Sequence, residues 1–513
     1  MQIKWNEIKH CDIKGREYTQ ITFEDDYIVR DNKPDVGEII CVKGMPVLEE
    51  QKNMNGSMWL SGKVTYHMLY QDETQENGLN VMEGTIPFQE KMNIDGLVEN
   101  SRPRIRLMLE EISASIVNSR KISVRGIIEV EAQIEEENEE QISSCIEDEG
   151  VEQKIEKEIV LSLGKTCNDI LRIQKEIQLP KSKSNIREII FYYIDIRNRR
   201  IEFENDYMNL RGEANICVLY KCEEGEIDWF GTTVDFSSGI NCGAVEEDEI
   251  FWPNIEELNH QLVVEQDYDG EMRQLSVELS FDVSMKIWRE REVDVLKDAY
   301  SRKKLMRTEK KHIGNQRLLV KNTAKIRLAE EVKLDQLKGK ILQICGCKST
   351  SKIEYSEIVD NAVHVEGLIQ TSFLYIPSLE NVPVGYEKCQ LPFSENIEAT
   401  GISESALIDI HSHVDQVQIN LLDGENYEIK AVVSVELLAM ENMGFEMIAE
   451  AQLEGDNEQC NNIPGIVGYV MQHGQELWDV AKTYCTTVEE IRRDNNLEDR
   501  NPEAGERLII VKS

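Results

Sequence analysis

The sequence predicts a mainly β chain: three tandem antiparallel β-sandwich-like units followed by a small β-α-α-β module. Three observations carry that prediction. Long stretches alternate apolar and polar residues with period two, as strands with one buried face do. One such strand recurs three times along the chain. Apolar residues fall clearly into helical register only in the C-terminal stretch.

The recurring strand is clearest from Met58 to Tyr70, where Met58, Leu60, Val64, Tyr66, Met68 and Tyr70 alternate with Ser61, Lys63, Thr65 and His67. Gly62 falls in the apolar phase, and an inward glycine leaves room for a neighbouring backbone or a bulky side chain from an opposite sheet. The strand returns at Leu210–Tyr220 and at Val363–Tyr375. In each copy glycine precedes Leu-Tyr by one interval: Gly62 to Leu69-Tyr70, Gly212 to Leu219-Tyr220, Gly367 to Leu374-Tyr375. The glycine-to-tyrosine interval is even, so both residues share a face. Upstream of each copy stands an acid- or lysine-led aliphatic pair: Glu38-Ile39-Ile40, Glu188-Ile189-Ile190 and Lys340-Ile341-Leu342. Downstream comes a short strand ending in phenylalanine: Ile86-Pro87-Phe88, Val234-Asp235-Phe236 and Leu391-Pro392-Phe393. Each copy closes with another alternating strand, at Ile122–Val130, Leu275–Ile287 and Tyr427–Leu437, the last announced by the hairpin signal Asp423-Gly424. The repeat of about 150 residues is far longer than a solenoid period, so each copy is expected to hold its own core.

These patterns place units at 1–134, 163–295 and 316–450. The acidic stretch 135–162, with Glu135-Glu136-Glu137 and Glu139-Glu140, reads as a solvated linker. Within the second unit, 163–178, with Leu163, Ile170, Leu171, Ile173 and Ile177, reads as a short helix. The basic stretch 296–315, with Arg302-Lys303-Lys304, Arg307, Lys310 and Lys311, reads as a solvated joint. Residues 451–465 read as a flexible tether to the module at 466–513.

Composition narrows the function. Ninety-six acidic against 57 basic residues give a formal charge of −39. Such a chain lacks the surplus of cations that displaces counterions from phosphate backbones or anionic lipid, so neither nucleic acid nor a membrane is an expected partner. The N-terminus, Met1-Gln2-Ile3-Lys4-Trp5-Asn6-Glu7, has no apolar core of a signal peptide, and no apolar run reaches membrane length; a cytoplasmic chain is expected. The twelve cysteines show no CxxC pairs and read as reduced, mostly packed thiols, with no zinc site. Gly164-Lys165-Thr166 lacks the upstream glycine of a phosphate loop. His411-Ser412-His413 places two rings on one strand face beside Asp409 and Asp415, and reads as a solvated strand edge in preference to a metal pair. No catalytic glycine, serine or histidine motif appears, so no catalytic residue, metal or cofactor is assigned.

In the C-terminal stretch, Leu477, Val480, Ala481 and Tyr484 recur at helical spacing, and Val488 with Ile491 begins a second stripe. Thr487 with Glu490 three residues on is a capping-box pattern, and Gly474 sits where a strand turns into a helix. Leu477, Trp478, Ala481, Ile491, Leu508 and Ile510 are expected to supply the small core. Over Tyr469–Val511 the order Tyr-x-Val-like strand, His473-Gly474, Leu477-Trp478, Ala481, Tyr484, Ile491, Asn495, Leu497, Gly505, Leu508 and Ile510 resembles the LysM module. That resemblance implies binding of N-acetylglucosamine-containing glycans such as peptidoglycan. The loops it implicates hold Gly474, Gln475, Glu476 and Leu477 after the first strand, and Asn495, Asn496 and Leu497 after the second helix. Where LysM modules usually carry Gly-Asp-Thr or Gly-Asp-Ser, this chain has Gly474-Gln475-Glu476, so the sugar-reading loop is rewritten.

The repeated Gly-x6-Leu-Tyr strand, the Ile/Leu-Pro-Phe segment and Pro34-Asp35-Val36-Gly37-Glu38-Ile39-Ile40 resemble the SPOCS domain, a β-rich domain of spore-forming Firmicutes. The second unit departs from the pattern, with no proline in Val234-Asp235-Phe236 and Ser184-Asn185 where Lys33-Pro34 begins the first. Three such units before one LysM module resemble the SPOCS-domain family of clostridial spore-coat assembly proteins. The resemblance implies a non-enzymatic adaptor of the mother-cell cytoplasm, recruited to the forespore surface and spore coat. In that family a coat morphogenetic ATPase on the forespore surface is the partner, and LysM makes the contact. The alternative class is a peptidoglycan-binding protein whose Asn495, Asn496 and 474–477 loop hydrogen-bond N-acetyl groups. A hydrolase using scattered carboxylates is a third class, with no residues to assign.

Overall fold

A computed structural model of the chain describes residues 1–72, 78–204, 206–243, 246, 248–334, 340–379, 382–498 and 500–511. The side chains of Gln459 and Asn461, both in the expected tether, lie outside the described residues. Period-two alternation dictates strands, and the chain is strand through most of its length. The first unit holds β1 (Gln2–Ile28), β2 (Val36–Met54), β3 (Ser57–Asp72), β4 (Leu79–Asn93), β5 (Arg104–Asn118) and β6 (Lys121–Glu147). The second holds β7 (Val151–Gln178), β8 (Ile186–Glu204), β9 (Tyr207–Cys222), β10 (Ile227–Asn241), β11 (Glu249–Gln266) and β12 (Met272–Ser301). The third holds β13 (Lys304–Lys333), β14 (Ile341–Val359), β15 (Ala362–Pro377), β16 (Gly385–Glu398), β17 (Leu407–Leu421) and β18 (Asn426–Asp456). Then follow α1 (Glu458–Asn462), β19 (Ile466–Val470), α2 (Leu477–Tyr484), α3 (Val488–Asp494) and β20 (Arg507–Val511).

Each unit is a pair of three-stranded antiparallel sheets, with the recurring strand central in one and the closing strand central in the other: β2-β3-β4 with β1-β6-β5 in the first, and the same order in the others. Leu60, Val64, Tyr66 and Met68 of β3 meet Ile122, Val124, Ile128 and Val130 of β6 in the first core. These strands are central because each has one wholly apolar face, which only an opposing sheet can keep from water.

The repeated glycine and the downstream phenylalanine turn out to be two halves of one contact. Gly62 lies directly across from Phe88, Gly212 from Phe236 and Gly367 from Phe393, on adjacent strands of the same sheet. A Cβ at Gly212 would stand 2.6 Å from the Phe236 ring. The bulky neighbour therefore comes from the next strand and not from an opposite sheet, while the other expectation, a neighbouring backbone, is met at Gly62 by Val47 O and at Gly367 by Lys352 O. The repeated tyrosines, Tyr70, Tyr220 and Tyr375, are fully buried. They pair with Ile39, Ile189 and Ile344, so the upstream motif of the third unit is Gln343-Ile344-Cys345, three residues beyond the expected Lys340-Ile341-Leu342.

The stretches expected to be linkers are strands. The outer half of β1 pairs with the outer half of β6, from Gln2 opposite Glu147 to Ile13 opposite Glu135. Likewise β7 runs beside β12 to Val151 opposite Ser301, and β13 beside β18 to Lys304 opposite Asp456. These three ribbons pack on one another as a stalk. Its centre joins Ile8, Ile142, Val160, Val293, Val295, Ile313, Phe445 and Met447, drawn from all six strands. The acidic stretch 135–162 was misread because its carboxylates are matched by lysines distant in sequence. Glu139 meets Lys9 at 2.6 Å, Glu135 meets Lys286 at 2.6 Å, and Glu158 meets Lys297 at 2.5 Å. The basic stretch 296–315 faces it, with Lys311 2.5 Å from Glu140, and offsets part of its charge. Residues 163–178 are strand, not helix: Leu171, Ile173 and Ile177 are buried at alternate positions and Ile170 is exposed. Of the expected tether, 451–456 finish β18 and 458–462 form α1, whose N-terminus is capped by the Asn457 side chain accepting from the Cys460 N–H at 3.2 Å.

At a second junction the three units meet through Cys41 and Leu69, Phe191, Tyr193 and Leu219, and Leu374 and Val384. Beside it lies a polar cavity of about 1220 Å³ lined by all three units. Its lining mixes cations and carboxylates that pair between units, including Lys352 with Glu129 at 2.5 Å and Arg106 with Glu256 at 3.9 Å. Trp252 donates to Asp409 at 2.8 Å across the same wall. Glu257 sits here, 2.5 Å from His260 and 4.0 Å from Lys348. Burial pushes its carboxyl up, but Lys348 and His260 together outweigh burial and hold it at about 2. A folded value below the unfolded one contributes stability that is present above pH of about 4.3 and lost as pH falls toward the folded value. We expect Glu257→Gln to flatten the fall in melting temperature between pH 5 and 3, read by calorimetry; an unchanged acid profile would remove Glu257 from that role.

Candidate functional site

The C-terminal module is built as its pattern dictates. The Thr487 side chain accepts from the Glu490 N–H at 3.0 Å while Glu490 accepts from the Thr487 N–H at 3.2 Å, closing the capping box of α3. Gly474 turns the chain at φ +80, a conformation that disfavours a side chain. Leu477, Val480, Ala481, Ile491, Leu497, Leu508 and Ile510 are buried together. β19 and β20 pair antiparallel, and the loops beyond them are tied by Met471 N–H to Glu506 O at 3.0 Å and Gly505 N–H to Met471 O at 2.8 Å.

The structure sorts the seven expected site residues into four kinds. Leu477 and Leu497 are core. Asn495 is a clasp: its side chain accepts from the Ile509 N–H at 2.6 Å and donates to the Ile509 carbonyl at 2.6 Å, capping the free edge of β20. Gly474 shapes the turn. Gln475, Glu476 and Asn496 face solvent, Asn496 at φ +53. Of these, Gln475 Oε1 accepts from the Tyr469 hydroxyl and, at 3.3 Å, from the Gln472 N–H. The Glu476 carboxylate, although 61% exposed, accepts from Lys154 of β7 at 2.6 Å.

That last bond belongs to an interface the sequence reading missed. Tyr300, at the end of β12, is buried among the module's core residues and donates to the Thr486 carbonyl at 2.6 Å. Its ring meets Trp478 edge-on, with centroids 5.0 Å apart. Trp478, expected in the core, is only partly buried there; its indole N–H donates to Asp298 at 2.8 Å, and Lys482 reaches the same carboxylate at 2.7 Å. Burial raises the Asp298 carboxyl, but these two partners pull it below the ordinary range. The legible signal was Tyr300, the one aromatic residue in the stretch read as a basic joint. Cysteine chemistry is a second correction. Ten cysteines are free, but Cys460 of α1 and Cys485 at the end of α2 form a disulfide, Cα atoms 5.7 Å apart, where all were expected as thiols. Thiol pairing depends on contact in space, and these two lie 25 residues apart with no sequence signature.

His411 stacks on Trp252 and lies 3.6 Å from Asp409, while His413 lies 3.2 Å from Asp415. Both histidines are thus engaged with carboxylates on their own strand. Among the described residues no group of three or more His, Cys, Asp or Glu stands close enough to hold a metal ion. Among the described residues no helix is long and apolar enough to cross a membrane.

The family model described as SipL, SPOCS domain matches residues 35–117, 185–263 and 340–422, and the LysM domain model matches 469–511. The chain belongs to the SPOCS-domain family with a C-terminal LysM. Each SPOCS match spans the four inner strands of a unit and leaves out the first and last, the strands whose outer halves build the stalk. SPOCS domains connect the chain with the spore coat and the LysM domain with glycan binding; both are binding or scaffold domains. Comparison with curated proteins and with solved structures finds no match.

Proposed function

We propose that the chain is a non-enzymatic adaptor in spore-coat assembly. Its SPOCS domains form the carrier, and its LysM domain binds a coat morphogenetic ATPase at the forespore surface from the mother-cell side. The observation that carries this reading is the fate of the polar groups on which a glycan site would rely. Both ends of the Asn495 amide are consumed by the Ile509 backbone, and the Glu476 carboxylate, standing where a small hydroxyl is usual, is held by Lys154. A sugar at Glu476 would have to displace a charge-assisted bond and offer a neutral one in its place. The surface that remains suits a protein partner better than an N-acetyl group. A chain truncated after Gly455 is expected to lose capture of the ATPase in a pull-down that the full chain passes. In parallel, calorimetry of the full chain with chitotetraose is expected to show no binding tighter than about 1 mM, the weak end of specific recognition. Retained capture by the truncated chain would overturn the LysM assignment, and micromolar chitotetraose binding would favour peptidoglycan as the ligand.

A further inference from the structure

The segment joining LysM to the stalk is fastened at both ends. At its start the Asn457 N–H donates to the Lys303 carbonyl of the stalk at 3.0 Å. Three residues on, Cys460 is buried and bonded to Cys485, which ends α2 in a left-handed conformation at φ 56. Without that bond, nine residues separate Asn457 from Ile466, and an extended chain of that length reaches roughly 30 Å. With it, the end of α2 stays within three residues of the stalk anchor, a reach of roughly 10 Å. The non-covalent contacts converge on the same helix and the turn after it: Asp298 with Trp478 and Lys482, and Tyr300 with Thr486.

We propose that Cys460–Cys485 is a redox latch that locks the LysM domain against the stalk. The inference rests on LysM being the recognition head. A dithiol reductant opens the latch by two-electron exchange: one of its thiolates attacks a protein sulfur, the S–S bond breaks, and the second thiolate resolves the mixed disulfide. Two protein thiols form, carrying the protons the dithiol gives up, and the reductant leaves as its own cyclic disulfide. In the oxidised chain, the LysM face bearing Trp478 and Lys482 is withheld from partners. In the reduced chain it is released to an equilibrium held by the Asp298, Tyr300 and Lys154 contacts. Arg302, 3.8 Å from Glu490, adds a weaker fourth. The device thus switches LysM between a fixed and a tethered position without altering its own core.

The test uses the full chain. Thiol titration in denaturant without reductant should find ten thiols, rising to twelve after dithiothreitol, since two of the twelve cysteines are in the bond. Hydrogen exchange of the folded chain should show amides of 457–466 exchanging at least about tenfold faster after reduction, because a closed loop of this size has lost several kcal/mol of chain entropy. Cys460→Ser should show the fast rates with and without reductant, and Cys485→Ser, which breaks the bond from the other side, should match it. Twelve thiols before reduction, or unchanged exchange in a chain shown to hold the bond, would overturn the latch. These readouts do not involve the ATPase, so failed capture would count against the adaptor reading and leave the latch standing.

Discussion

Gly212→Ala is expected to destabilise the second SPOCS domain by about 2 kcal/mol, the middle of the range for forcing a methyl into a packed core. The new Cβ would lie 2.6 Å from the Phe236 ring, while the nearest backbone atom, Arg197 O, is 3.1 Å away. The clash is therefore mostly with one side chain. Phe236→Ala alone should cost about 3–5 kcal/mol through the cavity it leaves. The double variant should be no worse than Phe236→Ala, because the methyl then occupies vacated space, giving a coupling of about 2 kcal/mol for residues in direct contact. Gly62→Ala makes the contrast. There the Cβ would meet the backbone oxygen of Val47 at 2.3 Å as well as Phe88 at 2.6 Å, so Phe88→Ala cannot relieve it. Hydrogen exchange of the central strand, β9 or β3, checks both cycles. Full additivity at Gly212 would show that the glycine does not serve the ring opposite, and rescue at Gly62 would show that the Phe88 ring, not the Val47 oxygen, sets the limit there.

This contact also shows how far the sequence could be read. The strands, their three-fold recurrence and the shared face of glycine and tyrosine follow from alternation, which is local and survives any packing. That Gly212 and Phe236 touch was not legible, because cross-strand register depends on turn geometry between two segments, and a one-residue slip exchanges the faces. The same limit moved the third upstream motif from Ile341 to Ile344. The linkers failed for a different reason. A run such as Glu135–Glu140 looks solvated when its charges are counted along the chain, yet Lys9, Lys286 and Lys311 come from three strands far away in sequence. In the LysM domain, the capping box at Thr487 and the turn at Gly474 were fully local and fully legible. Asn495 reads in the sequence as a binding-loop residue, and its engagement with Ile509 needed the β20 edge to be in place. Tyr300 and Asp298 lay outside any motif because they serve an interface, and a lone aromatic residue in a charged stretch is the trace such an interface leaves in a single sequence.

Ile142→Asp in the stalk is expected to destabilise the chain by about 4 kcal/mol or more, the scale for an uncompensated buried charge. Ile142 is fully buried among Val160, Val293, Val295, Ile313, Phe445 and Met447. Lys311→Gln, by contrast, removes one of the closest ion pairs of the stalk and should change stability by less than about 1 kcal/mol, because the pair is solvent-exposed on the lysine side and screened. The comparison decides whether apolar packing or charge matching holds the ribbons together. Matched charges allow so acidic a segment to pair at all, but burial of the apolar seam supplies the free energy. The consequence reaches the LysM domain, since Asp298 and Tyr300 sit on the β7–β12 ribbon and hold their positions only while the three ribbons stay packed. Protection of α2 in hydrogen exchange should therefore fall in Ile142→Asp and persist in Lys311→Gln. If the two variants exposed α2 equally, the ion pairs would be the element that positions the recognition domain.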